Sequence, residues 1–139
     1  MPWDAGLNDS CSGMQIVNGK IYIVGRFRKA GCDIDSSLEI SGGVDRWGAV
    51  CVDADPQSSK PEIYPWNPDI REATSLTRVS SILVRGDYAY MCSEFAHNVR
   101  GENRGYCWCV KSNHLLDEDE MLMPFYPKVN NGVLGMEII

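Results

Sequence analysis

The chain contains nearly the same strand twice. RWGAVCVDA occupies residues 46–54, and RGYCWCVKS occupies 104–112, 58 positions later. Each starts at an Arg and reaches a Cys-Val pair at the same place. A fixed internal period is read before any other feature, because it names the repeating unit that the fold must stack. Two further blocks keep the period. MQIVNGKIYIVGRF (14–27) resembles SILVRGDYAYMCSEF (81–95). In both, an apolar strand meets a turn containing Gly19 or Gly86, and a Tyr follows, Tyr22 or Tyr90. Five residues on comes Phe27 or Phe95, and the second copy reads as having one extra turn residue. PWNP (65–68) is echoed by PFYP (124–127), and PWDA (2–5) stands 63 positions before PWNP. The tail MEII (136–139) resembles MQIV, as if a third unit begins there.

These blocks predict units of about 60 residues: one over about 6–68, one over about 69–127, and the start of another over 128–139. Each unit reads strand, Gly turn, strand, loop, strand, loop, short strand and aromatic-Pro corner. Four short antiparallel strands per unit is the composition of a β-propeller blade. Side chains alternate along a strand, so Val50 and Val52 point one way while Ala49 and Cys51 point the other. In the second copy, Trp108 and Val110 oppose Cys107 and Cys109. Both faces of each sheet are therefore apolar, and both must be covered. The expected fold class is all-β, with two four-stranded blades. Helical periodicity is weak: Asp69–Val79 could supply a turn or two, and Leu115–Met123 reads as a charged hairpin tip. Residues 28–45 read as a loop rich in acid.

NGKIYIVGRF, AVCVDA and PWNP together resemble the delta-60 repeat family of β-propellers. That family is similar in its apolar strand, Gly-Lys-type turn, strand ending near Gly-x-Phe, strand with a late Asp, and Trp-Asn-Pro corner. The resemblance covers nearly the whole chain. The second copy departs from it, with Cys92-Ser93-Glu94-Phe95 at the Gly-x-Phe position and Phe125 at the corner Trp. The resemblance implies a propeller scaffold, and a scaffold does not fix an activity.

Two blades cannot close a ring, because propellers have typically four to eight. An open pair exposes apolar faces and unpaired edges. The expectation is a homo-oligomer, a piece of a longer repeat protein, or a component covered by other chains. The net charge of −6, with scattered bases and an acidic run at Asp117–Glu120, argues against nucleic-acid partners. No segment approaches the roughly 20 apolar residues of a membrane span. The first ten residues lack the basic start and apolar stretch of a signal peptide. A cytoplasmic assembly or a virion component is the localisation these features favour. The six cysteines are expected to be reduced and to pack as small hydrophobes.

Each candidate site has a plain structural counterpart. Cys92, His97, Cys107, Cys109 and His114 carry metal-capable atoms, but their C-x4-H and C-x-C-x4-H spacings are not zinc knuckles. Asp33, Asp35, Ser36, Ser37 and Glu39 could offer oxygens to calcium, yet they lack the EF-hand pattern and read as a solvated loop. Arg85-Gly86-Asp87 is first a hairpin turn needing positive φ, and only second an exposed recognition tripeptide. Asn8-Asp9-Ser10 is a glycosylation sequon, with meaning only in a secreted protein. Trp3, Trp47, Trp66 and Trp108, with Tyr64 and Tyr126, could form a sugar-binding shelf, yet Trp3 and Trp66, at equivalent corners, read as structural plugs between blades. No nucleophile elbow, phosphate loop or metalloprotease motif occurs. The reading is a non-enzymatic structural or interaction module of a larger assembly, such as a virion or multi-subunit particle, with no cofactor or metal. Contacts to a partner or ligand are expected at Trp47, Tyr64, Arg85, Asp87, Trp108 and Tyr126. The alternative is a carbohydrate-binding, lectin-like oligomer, which needs exposed indoles. Were it an enzyme instead, Asp33, Asp35 and Asp45 would be the first residues to mutate.

Overall fold

The computed structural model describes residues 3–71, 78–125, 127–129, 132–133 and 135–137. Among these the chain is all-β and antiparallel, with β1 (Cys11–Val17), β2 (Lys20–Gly25), β3 (Lys29–Ile34), β4 (Ile40–Asp45), β5 (Ala49–Asp53), β6 (Ile70–Arg71), β7 (Val79–Arg85), β8 (Tyr88–Val99) and β9 (Glu102–Lys111). A single 3-10 turn follows at Asp119–Met121. Of the span read as a short helix, 72–77 lies outside the described residues.

In each repeat three strands pair in the same order, and β6 adds a fourth strand to the second sheet. β1, β2 and β5 pair in that order, and Val52 adds a lone bridge to Ile63. β7 and β9 flank β8, and Val110 adds a lone bridge to Leu122. The expected fourth strand is thus one residue pair long in each unit, and neither sheet closes. The hairpin turns explain a small misreading of the sequence. Asn18 (φ 49°) and Gly19 (φ 74°) form a two-residue turn with both residues left-handed, the type I′ pattern. In the other hairpin Gly86 alone is left-handed (φ 57°), and Gly comes first, the type II′ pattern. Both turns have two residues, so no extra residue is present. Ile23 pairs with Met14 and Met91 pairs with Ile82, which makes Met14 and Ile82 equivalent.

Residues 28–45, read as a loop, form a hairpin arm instead. β3 and β4 pair from Lys29↔Asp45 to Ile34↔Ile40. The Asp35 carboxylate closes the arm, accepting from the Ser37 and Glu39 amides and the Ser37 hydroxyl. That bonding lowers its pKa, the Ser37 hydroxyl contributing most. The outer edge of β3 is paired by the N-terminal segment: Gly31 N–H donates to Ala5 O at 2.8 Å and Cys32 N–H to Gly6 O at 2.9 Å. In the second unit the arm is continuous with β8 and β9, and β6 pairs its edge at Val99 and Asn98.

Alternation then sorts the core. Tyr22, Val24, Ala49 and Cys51 face the second unit, where Ile82, Val84, Ala89, Met91, Trp108 and Val110 meet them with Trp66 between. Ile21, Ile23, Val50 and Val52 face away and are covered by Trp3, Ala5, Leu7, Phe27 and Ala30. The open sheet face expected on the first unit is therefore largely closed by its own N-terminal segment and arm. Trp66 is fully buried, stands edge-on to Tyr22, and donates its indole N–H to Lys111 O at 2.9 Å. Trp66→Ala is expected to destabilise the fold by about 3–5 kcal/mol through lost burial and a cavity. Trp66→Phe keeps a ring and loses the hydrogen bond, for about 1–2 kcal/mol. Urea denaturation of the two variants reads the difference, and equal losses would mean that the hydrogen bond, not the packing, secures the junction.

Candidate interaction surface

Two corners of the chain share one local design, and a third keeps its aromatic residue and left-handed end. Asp4 Oδ1 accepts from Gly6 N–H at 2.8 Å, and Asn67 Oδ1 accepts from Asp69 N–H at 3.1 Å. Short Asx side chains stabilise such turns by standing in for a backbone carbonyl. The residue that ends each corner is left-handed: Gly6 at 61°, Asp69 at 50° and Lys128 at 49°. An aromatic residue opens each corner: Trp3, Trp66 and Phe125.

The aromatics do equivalent work in successive units. Trp3 donates its indole N–H to Asp53 O at 2.8 Å, as Trp66 does to Lys111 O. Asp53 and Lys111 are the last residues of β5 and β9. Trp66 also stands edge-on to Tyr22, with ring centres 5.0 Å apart at 87°. Phe125 stands edge-on to Tyr90, the equivalent tyrosine, at 5.5 Å and 86°. Trp66 therefore touches both units, Trp3 serves only the unit after it, and Phe125 only the unit before it.

A second link joins the units along their inner strands. Gln15 on β1 clamps the backbone of Val84 on β7: its Nε2 donates to Val84 O at 2.7 Å, and its Oε1 accepts from Val84 N–H at 2.6 Å. These are groups on the β7 edge that would otherwise be open to a stray strand. The sequence reading missed Gln15. The signal was available: one amide in the apolar run MQIV, at the position that the other repeat fills with Leu83.

The ends of the two-unit stack are only partly covered. Met14 and Ile16 on β1 are exposed. Beyond the second unit, a crevice of about 220 Å³ opens among Tyr88, Tyr90, Cys109, Met123, Pro124 and Phe125. A wider cleft of about 700 Å³ lies between the hairpin ends of the two units, where Asn18, Lys20 and Tyr22 face Asp87, Asn113, His114 and Glu118.

The residues singled out in the sequence do not converge on one place. Trp108 is fully buried beneath the first unit, tilted against His97 at 5.5 Å. Trp47 is half-buried, with the guanidinium groups of Arg28 and Arg71 at 4.5 and 4.2 Å from its ring centre. Tyr64 stands edge-on to His114 at 4.7 Å. Tyr126 lies outside the described residues. Trp3 is half-buried and Trp66 fully buried. Arg85, Gly86 and Asp87 are exposed, and their turn is seated by Ser112, whose N–H donates to Asp87 O and whose hydroxyl donates to Gly86 O.

His97 is buried and bonded on both nitrogens: Nδ1–H donates to Phe95 O at 2.7 Å, leaving Nε2 to accept from Arg78 N–H at 3.2 Å. Among the described residues no three metal-capable side chains group together, and no helix is long and apolar enough to cross a membrane. Asp33 and Asp45 are engaged by Lys60 at 2.8 Å and Lys29 at 3.4 Å. Asn8 of the sequon accepts from the Arg28 and Lys29 amides.

All six cysteines are free thiols. Burial pushes Cys51 up to about 12, and Cys92 and Cys109 up to about 11. The thiolate is the reactive form, so these three are inert near neutral pH. Iodoacetamide at pH 8 is expected to label exposed Cys11 first and Cys51, Cys92 and Cys109 only on unfolding, as mass spectrometry of the peptides would show. Gln15→Leu is expected to cost about 1–3 kcal/mol, since it strands two backbone groups of Val84; an unchanged urea midpoint would mean that water replaces the clamp. Comparison of the chain with protein-family models, curated proteins and solved structures yields no match.

Proposed function

We propose that the chain is a non-enzymatic structural and interaction module, built on β-propeller repeats of the delta-60 type, that works inside a larger assembly such as a virion or multi-subunit particle. The observation that carries this reading is the corner at Trp66. One side chain belongs to two successive units, and the partial versions of the same corner, Trp3 and Phe125, each serve one unit. A chain designed around shared corners reaches its full set of contacts only among further units. Propeller closure takes typically four to eight such units.

The chemistry of the polar side chains supports the same reading. His97 has both nitrogens engaged within the core. Asp33 and Asp45 lie in exposed ion pairs on the arm. These groups act in the structure, as in a scaffold whose polar side chains hold its own loops and strands.

The test is photo-crosslinking in the cells that make the protein. A photoreactive residue replacing Phe125, at the rim of the crevice, is expected to give a discrete covalent adduct with another protein chain. One replacing Leu38, at the tip of the arm, serves as the comparison. A chain that remains folded, forms no adduct at Phe125 and sediments alone would overturn the reading.

A further inference from the structure

We propose that the open face of the second unit receives the first unit of another copy of this chain, so that copies associate head to tail. This rests on the repeat-module reading and names its partner. The two units provide an internal control on exposure. Ile82 and Val84 on β7 are 7% and 6% exposed, because the first unit covers them. Their equivalents on β1, Met14 and Ile16, are 53% and 67% exposed at the same strand positions and on the same side of the sheet. On the other side of the contact, Trp66 on Tyr22 is fully buried, while Phe125 on Tyr90 is 45% exposed.

The two exposed sets are the two halves of one contact that the chain already makes once within itself. Each half stands at one end of the two-unit stack. The contact at Met14 and Ile16 wants a surface like Tyr22 with Trp66, and Tyr90 with Phe125 is that surface. The partner that is certain to carry both halves in the right order is a second copy. Such a contact is heterologous, and heterologous contacts close into rings when the rotation permits. With two units per chain, closure at four to eight units takes about two to four copies.

The joint between copies differs from the internal junction in two respects. The internal junction holds Trp66 alone, whereas the joint brings together Phe125 of one copy and Trp3 of the next. The crevice of about 220 Å³ beside Phe125 is the room for the added ring. The Gln15 clamp has no counterpart there either, because Leu83 stands in its place. The joint is therefore apolar and unassisted, and it dissociates on dilution.

Light scattering and native mass spectrometry of the purified chain over a dilution series test this. The expected mass is two, three or four times the 15.5-kDa chain, falling on dilution. Ile16→Glu and Phe125→Glu are each expected to give folded monomers with unchanged circular dichroism, because both side chains are exposed within one copy. Leu115→Glu, equally exposed at 61% but on neither surface, keeps the mass of the oligomer. Mixing the Ile16 and Phe125 variants leaves one intact joint per pair and gives a dimer, which a symmetric contact would not. A monomeric wild-type chain at the highest concentration, or an oligomer that survives both substitutions, overturns the proposal. If the monomer still forms the Phe125 adduct with a different protein in cells, the head-to-tail contact fails while the module reading stands.

Discussion

The rest of the structure depends on the position of one indole. Trp66 sits between two sheets, edge-on to Tyr22 of the first and hydrogen-bonded to the last residue of β9 in the second. An aromatic ring there buries a large apolar area, and its one polar atom reaches a carbonyl at the end of a strand. The corner that carries it is stiff, with an Asx turn before a left-handed Asp69. Sheet orientation, the shared core and the clamp of Gln15 on Val84 all presuppose that the corner holds the two sheets at this spacing.

Each unit solves the same difficulty. Its sheet is apolar on both faces, so neither face can be left to water. Between the units, the faces cover each other. At the outer side of the first unit, Trp3, Ala5, Leu7, Phe27 and Ala30 do the covering, and the β3–β4 arm supplies the edge that holds the N-terminal segment. The arm is a two-stranded ribbon, which is marginal in water by itself. It persists because β3 is paired on both edges, with β4 on one and with residues 5–8 on the other. At the ends of the stack, Met14 and Ile16 on one side and Phe125 on the other remain exposed.

Much of this was legible in the residues. The repeat located both sheets, the Gly turns and the corners, and the alternation in AVCVDA assigned the two faces of β5 correctly. The equivalence of Trp3 and Trp66 as plugs follows from PWDA and PWNP, and both indoles donate to the end of a third strand. Other features were hidden by their chemistry. The arm at 28–45 was hidden because Gly31, Gly42 and Gly43, all at positive φ, interrupt its strands with turn residues. The hairpin register was obscured because two different turn types place Gly at different positions in loops of equal length. Trp108 read as a candidate surface ring, because a strand with both faces apolar does not say which face a second sheet will cover.

The sequence by itself determined that the chain is β-structured, that it repeats with a period near 60, and that aromatic corners separate its units. Those follow from local rules: period-two alternation, left-handed turn positions and Asx turns act within a few residues of each other. Only the tertiary structure decided which face of each sheet meets the other, that Gln15 closes the β7 edge, and that the end of the stack leaves Phe125 on Tyr90 uncovered. These depend on groups tens of residues apart meeting at hydrogen-bonding and van der Waals distance. That meeting is fixed by the spacing of whole sheets, and no local pattern encodes it.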